Sequence, residues 1–190
     1  MLGLWTHRLA ALAATVIVAA LVVGSSSAAA RRTDPLLASP TTCPGSTNTD
    51  GTMAEQMSEM ACLVEFVRNQ AGVGQLHESK TLDRAATLKI DADVRCGQFS
   101  HTPCSERFES TFVAAGYSLA GAYSIGENLA FGQNRAGSPR QIMAAWLASP
   151  PHRQNLLSPD WKSFGLGVRS GKSFLGYSDV AIWANEFGSR

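Results

Sequence analysis

The chain has 190 residues, 45% of them hydrophobic, and sixteen Lys and Arg stand against fifteen Asp and Glu. With charge so evenly balanced, and Arg31–Arg32 as the only adjacent basic pair, there is no electrostatic footprint for nucleic acid or an anionic membrane surface. No internal repeat divides the sequence, which is long enough for one domain and a leader.

Residues 1–30 read as an export signal. His7 and Arg8 precede an unbroken run of Ala, Leu, Val, Ile and Thr over 9–23, and small residues follow, with Ala28 and Ala30 in the A-x-A spacing that suits signal peptidase. The apolar run falls short of the roughly 20 residues that span a bilayer. A secreted protein without stable membrane insertion is therefore expected. Residues 31–51, rich in Thr, Ser, Pro, Gly and Asp, read as a flexible linker, and 52–190 as the folded domain. Four cysteines, Cys43, Cys62, Cys96 and Cys104, follow the leader. An even count outside the cell favours two disulfides. Of the three pairings allowed, proximity favours Cys96–Cys104, which leaves Cys43 to Cys62.

A first helix is expected over 52–70, where Met53, Met57, Met60, Val64 and Val67 recur at helical spacing. That stripe suits a filled core better than a ligand groove, although methionines can line one. A second helix over 82–94 carries Leu82, Ala86, Ile90 and Val94 on one side, with Ser79 or Thr81 as its cap. A third is expected over 105–115. Residues 121–132 are too glycine-rich for a long helix and read as irregular. Ser138-Pro139 opens a fourth helix, which buries Ile142, Met143 and Trp146 and stops at Pro150-Pro151. Apolar segments at 164–168 and 180–187 suit two strands. Helices first and strands last point to an α+β fold with a small antiparallel sheet.

Few groups outside the leader can do chemistry. His77 lies in a glycine-rich turn and reads as structural. His101, in Phe99-Ser100-His101, and His152, in Pro150-Pro151-His152, each follow a helix and sit between rigid neighbours. Glu127, in Gly126-Glu127-Asn128-Leu129, is a carboxylate in an apolar stretch, which is costly unless paired or used to lock a turn. No H-E-x-x-H pair or G-x-S-x-G elbow is present, and no aspartate lies near either histidine in sequence.

Five motifs in order carry a resemblance: Phe99-Ser100-His101; Gly126-Glu127-Asn128-Leu129; Trp146 through Ser149-Pro150, His152-Arg153 and Asn155; Phe164-Gly165-Leu166-Gly167-Val168; and Glu186-Phe187-Gly188. Together they resemble the bacterial branch of the CAP superfamily of cysteine-rich secretory, antigen 5 and pathogenesis-related 1 proteins. The resemblance implies an α–β–α sandwich with a shallow cleft floored by two histidines and two glutamates. His101, Glu127 and His152 match three of those positions, Ser149 stands where the second glutamate is expected, and Asn128 lies beside them. In some members the histidines hold a divalent metal. Zinc on His101 and His152, with Glu127 as a third ligand, is thus the candidate cofactor. The resemblance favours an extracellular binding module for a lipid, peptide or cell-wall component over a weak metal-dependent hydrolase.

Overall fold

Thr52 starts the first helix in the computed structural model, which describes residues 33–189. The export-signal reading of 1–30 and the first two linker residues lie outside that range. Thr52 accepts from the backbone N–H of Glu55 at 3.2 Å, and Glu55 reaches back to the N–H of Thr52 at 2.7 Å. This capping box opens α1, Met53–Gln70, which buries Met60, Leu63, Val64 and Val67. After a two-residue strand β1, His77–Glu78, Ser79 caps α2, Lys80–Cys96, and Gly97 ends it in the left-handed region at φ 59°.

The expected third helix is shorter than the pattern suggested. Cys104 and Ser105 take positive φ values in a 3-10 turn at Pro103–Ser105, and the helix proper, α3, spans only Ser110–Ala114. Residues 121–132, expected to be irregular, contain most of the strand β2, Ser124–Gln133. Its glycines mark close approach. A Cβ on Gly126 would lie 2.8 Å from the Trp161 ring, and one on Gly132 would lie 2.2 Å from the Ala136 carbonyl oxygen. α4 spans Pro139–Ala148 as expected. Pro150-Pro151 then begins a further helix, α5, Pro150–Leu157, because proline fits a first turn that needs no N–H donor. β3, Ser163–Phe174, and β4, Tyr177–Ser189, form a hairpin across Leu175 and Gly176, both at positive φ.

The sheet order is β1-β3-β4-β2, with β2 at one edge. It is antiparallel except for β1, which pairs parallel to β3 and makes the sheet mixed. On one face α2 lays Ala86 and Ile90 over Leu129, Val180, Ile182 and Ala184. On the other, α1, α4 and α5 bring Met60, Trp146 and Leu156 against Phe164, Trp183 and Phe187. The result is the α–β–α sandwich. Trp146 is fully buried, and its indole donates to the Leu129 carbonyl at 3.2 Å.

The described part of the segment read as a flexible linker is packed onto the domain. Ala38, Cys43 and Ser46 are fully buried. Arg140 donates to the Ala38 carbonyl at 2.9 Å, and Arg153 pairs with Asp34 at 2.5 Å. A disulfide joins Cys43 to Cys62 of α1, and a second joins Cys96 to Cys104, so both expected pairs are present.

α2 rests on β3 at backbone contact. A Cβ on Gly165 would lie 2.2 Å from the Leu82 carbonyl carbon, and one on Gly167 would lie 2.8 Å from that of Ala86. Gly165→Ala must push the helix off the sheet and is expected to cost at least about 1–3 kcal/mol, the usual range for overpacking. Urea unfolding measures the loss, and an unchanged midpoint would rule out this seating.

Candidate functional site

Adjacent residues on a strand face opposite ways, and β2 uses this to divide the candidate site. Glu127 points to the α2 face and Asn128 to the α5 face. Asn128 is fully buried as a brace: its amide donates to the His152 carbonyl at 3.0 Å, and its oxygen accepts from Asn155 at 2.9 Å. Asn155 also donates to the Glu127 carbonyl at 3.1 Å and accepts from the Trp161 indole at 3.0 Å. Asn128, expected beside the cleft, thus fixes the start of α5 and with it His152. Ser149 is half-buried at the N-cap of α5, where its carbonyl accepts from the Arg153 N–H at 2.9 Å.

His101 lies inside the loop closed by the Cys96–Cys104 bridge. Its Nδ1 lies 2.5 Å from Glu127 Oε1, and Lys89 Nζ donates to its backbone carbonyl. Lys89 Nζ also lies 3.4 Å from Glu127 Oε2 and 5.7 Å from the centre of the Phe108 ring. The Glu127 side chain is 1% exposed, whereas that of His101 is 56% exposed. A carboxylate at Nδ1 fixes the ring with its proton there and leaves Nε2 outward. The hydrogen bond to Glu127 raises the His101 pKa above its ordinary 6.5, against desolvation. Burial lowers the pKa of His152, and a charge on His101 lowers it further, so the two imidazoles sense one another.

Three further residues belong to this cluster and were missed in the sequence. Lys89 and Asp93 are buried on α2, in the same helical row as Leu82 and Ala86. Charged residues at i+7 and i+11 of an apolar stripe were the available signal. Glu186 is fully buried on β4 and shares its face with Val180, Ile182 and Ala184, a parity the sequence also carries. Asp93 Oδ1 accepts from the Ser100 N–H at 3.3 Å, which brings an aspartate beside the His101 loop after all. Burial pushes the Asp93 pKa up to about 6, despite the Ser100 bond and the charge of Lys89.

The donor set does not fit the three-ligand zinc centre. Glu127 is enclosed and already engaged by His101 and Lys89, so it acts behind the imidazole. Among the described residues no group of three or more His, Cys, Asp or Glu is placed to hold a metal ion. His101 and His152 remain as two imidazoles without a carboxylate partner for a metal. The methionine stripe is split: Met60 fills the core, while Met53 and Met57 line a groove of about 720 Å³ with Ala61, Glu65 and Lys80. That groove shares no lining residue with the His101 site.

A family model described as the cysteine-rich secretory protein family, CAP, matches residues 63–182. Uncharacterized protein YkwD of Bacillus subtilis (strain 168) is 29% identical over 126 residues, which cover 66% of this chain and 44% of YkwD. The fold resembles that of an extracellular protein containing a SCP domain from Bacillus anthracis str. Ames, with TM-score 0.60 and 17% identity over 73% of this chain and 41% of that one. It also resembles an outer surface protein from Borrelia burgdorferi, with TM-score 0.59 and 20% identity over 72% of this chain and 93% of that one. The chain thus matches less than half the length of YkwD and of the Bacillus anthracis protein.

The shifted charges set two pH dependences. Glu127→Gln should lower the His101 titration midpoint toward about 6.5, its unperturbed value, as read from ring-proton NMR shifts. With Glu127 present, the raised value contributes stability below the unfolded pKa, and this is lost as pH rises through the folded one. Asp93 also prefers its proton in the fold. The stability advantage of Asp93→Asn over the wild type should therefore grow from about pH 4 to about pH 6 and then level off. Denaturant unfolding at several pH values checks this, and an advantage that shrank as pH rose would contradict the burial argument.

Proposed function

The chain belongs to the CAP family of cysteine-rich secretory proteins, and we propose that it is an extracellular binding domain whose contact groups are the imidazoles of His101 and His152. The observation that carries this reading is the His101 ring, more than half open to solvent yet held at Nδ1 by the enclosed Glu127. Two disulfides suit an oxidising compartment. The export-signal reading of 1–30 points the same way, as do two structural relatives, one an extracellular protein and the other an outer surface protein. Among the described residues, no helix is long and apolar enough to cross a membrane.

The two imidazoles differ. His101 holds its proton more firmly than an ordinary histidine and His152 less so. His101 therefore keeps a charged N–H donor to higher pH than His152 does, and that donor suits an anionic oxygen such as the carboxylate of a peptide or cell-wall component. The alternative, a weak metal-dependent hydrolase, has less support because Glu127 is engaged and Ser149 replaces a carboxylate. A lipid-like ligand is the second reading, favoured by the groove beside Met53 and Met57.

Sedimentation with purified peptidoglycan and with phosphatidylcholine vesicles separates these readings. The wild type is expected to sediment with peptidoglycan, less so as pH rises and His101 loses its proton. His101→Ala and His152→Ala should each weaken binding by roughly tenfold or more, the worth of one charge-assisted hydrogen bond. Equal binding by all three proteins would remove the imidazoles from the site. Vesicle binding that survives both substitutions would transfer the function to the α1 groove.

A further inference from the structure

Glu127 on β2 and Glu186 on β4 are direct partners in the antiparallel register, and both are buried. Side chains directly opposite on one face have Cβ atoms about 4.5–5.5 Å apart. Two ionised carboxylates so placed out of water repel strongly. The groups facing them are Lys89 and Asp93 from α2 and His101 from the disulfide loop. Lys89 and His101 both approach Glu127, and neither forms a hydrogen bond or ion pair with Glu186. Neither oxygen of Glu186 meets a hydrogen-bond donor among the described residues, and neither does Glu127 Oε2, where Lys89 lies at 3.4 Å without hydrogen-bond geometry. Orphaned acceptors of this kind are rare and costly inside a fold. The carboxyl of Glu186 lies within hydrogen-bonding reach of Glu127.

We infer that Glu186 is held as a carboxylic acid whose O–H donates to Glu127, which makes Glu186 a positioning residue that acts on His101 through that carboxylate. A single proton satisfies a donorless oxygen on each side chain. It belongs on Glu186 because Lys89 and His101 both approach Glu127 closely, whereas Glu186 pairs with neither and feels Lys89 only through its charge. Burial acts in the same direction, holding the Glu186 carboxyl well above the usual carboxylate range. Glu127 then lies opposite Lys89, gripped by His101 at one oxygen and by Glu186 at the other. The inference rests on reading His101 as the contact group of the site, and it gives a reason for a carboxyl group at position 186 on an otherwise apolar strand face.

The test needs no ligand, so its outcome is separable from that of peptidoglycan binding. At neutral pH the infrared spectrum of the purified protein should show a protonated-carboxyl C=O band that is missing from Glu186→Gln. The amide replaces a neutral donor with a neutral donor, so the His101 midpoint in Glu186→Gln should stay within roughly 0.3 units of the wild type. Absence of the band, together with a lower His101 midpoint in Glu186→Gln, would mean that a negative charge had been removed, and the inference would fall. Glu186→Leu keeps the bulk and loses the donor. Glu127 then becomes the stronger acceptor, and the His101 midpoint should rise by about half a unit or more. A Glu186→Leu protein titrating like the wild type would leave Glu186 as a space filler. If that variant does not fold, the glutamine variant and the infrared band decide the question.

Discussion

One buried ammonium group, Lys89, stands among three buried carboxyl groups, and much of the architecture around His101 makes that imbalance tolerable. An ammonium out of water is costly unless paired, and it can balance only one carboxylate. The structure gives it to Glu127 and to the His101 carbonyl. Asp93 is left to a backbone N–H and to a pKa near 6, and Glu186 is left without a cation of its own. The arrangement depends on the close seating of α2. Gly165 and Gly167 let the helix backbone settle onto β3, and the helix carries Lys89 and Asp93 over the edge strand. His101 is the member of this group with more than half of its side chain open to solvent, so its ring is where the buried charges meet the surface.

α1, α2 and α4 were legible in the sequence because apolar residues recur there at helical spacing and because Ser79 and Ser138-Pro139 mark two of the starts. β2 was not, because its glycines look like breakers until Trp161 and Ala136 are seen against them. The same applies to residues 33–51. Their polar composition hides how much is held by backbone hydrogen bonds, by two arginines reaching from α4 and α5, and by the disulfide to α1. Composition reports what side chains can bury, and this segment buries little beyond Ala38, Cys43 and Ser46.

The site was legible in part. His101, Glu127 and His152 stood out because rigid neighbours flank them and because they match family motifs. Asn128 stood out for the same reason, yet it braces α5 from the opposite face of the strand. Lys89, Asp93 and Glu186 were passed over because a search for apolar periodicity does not record charged residues in the same rows. A charge in the buried row of an element is itself informative, since it has to find a partner inside.

The strap formed by the described residues ahead of α1 also sets where the domain can be cut. A truncation at Thr52 would keep every helix and strand among the described residues. It would also leave Cys62 as an unpaired thiol, strip Arg140 and Arg153 of the Ala38 carbonyl and the Asp34 carboxylate, and uncover the surfaces that Ala38 and Cys43 close. Arg153 follows His152 directly on α5, so loosening the strap would reach the histidine from behind. The working unit therefore includes the strap from Asp34 onward, and a protease acting between that point and α1 would detach part of the domain's support without touching the sheet.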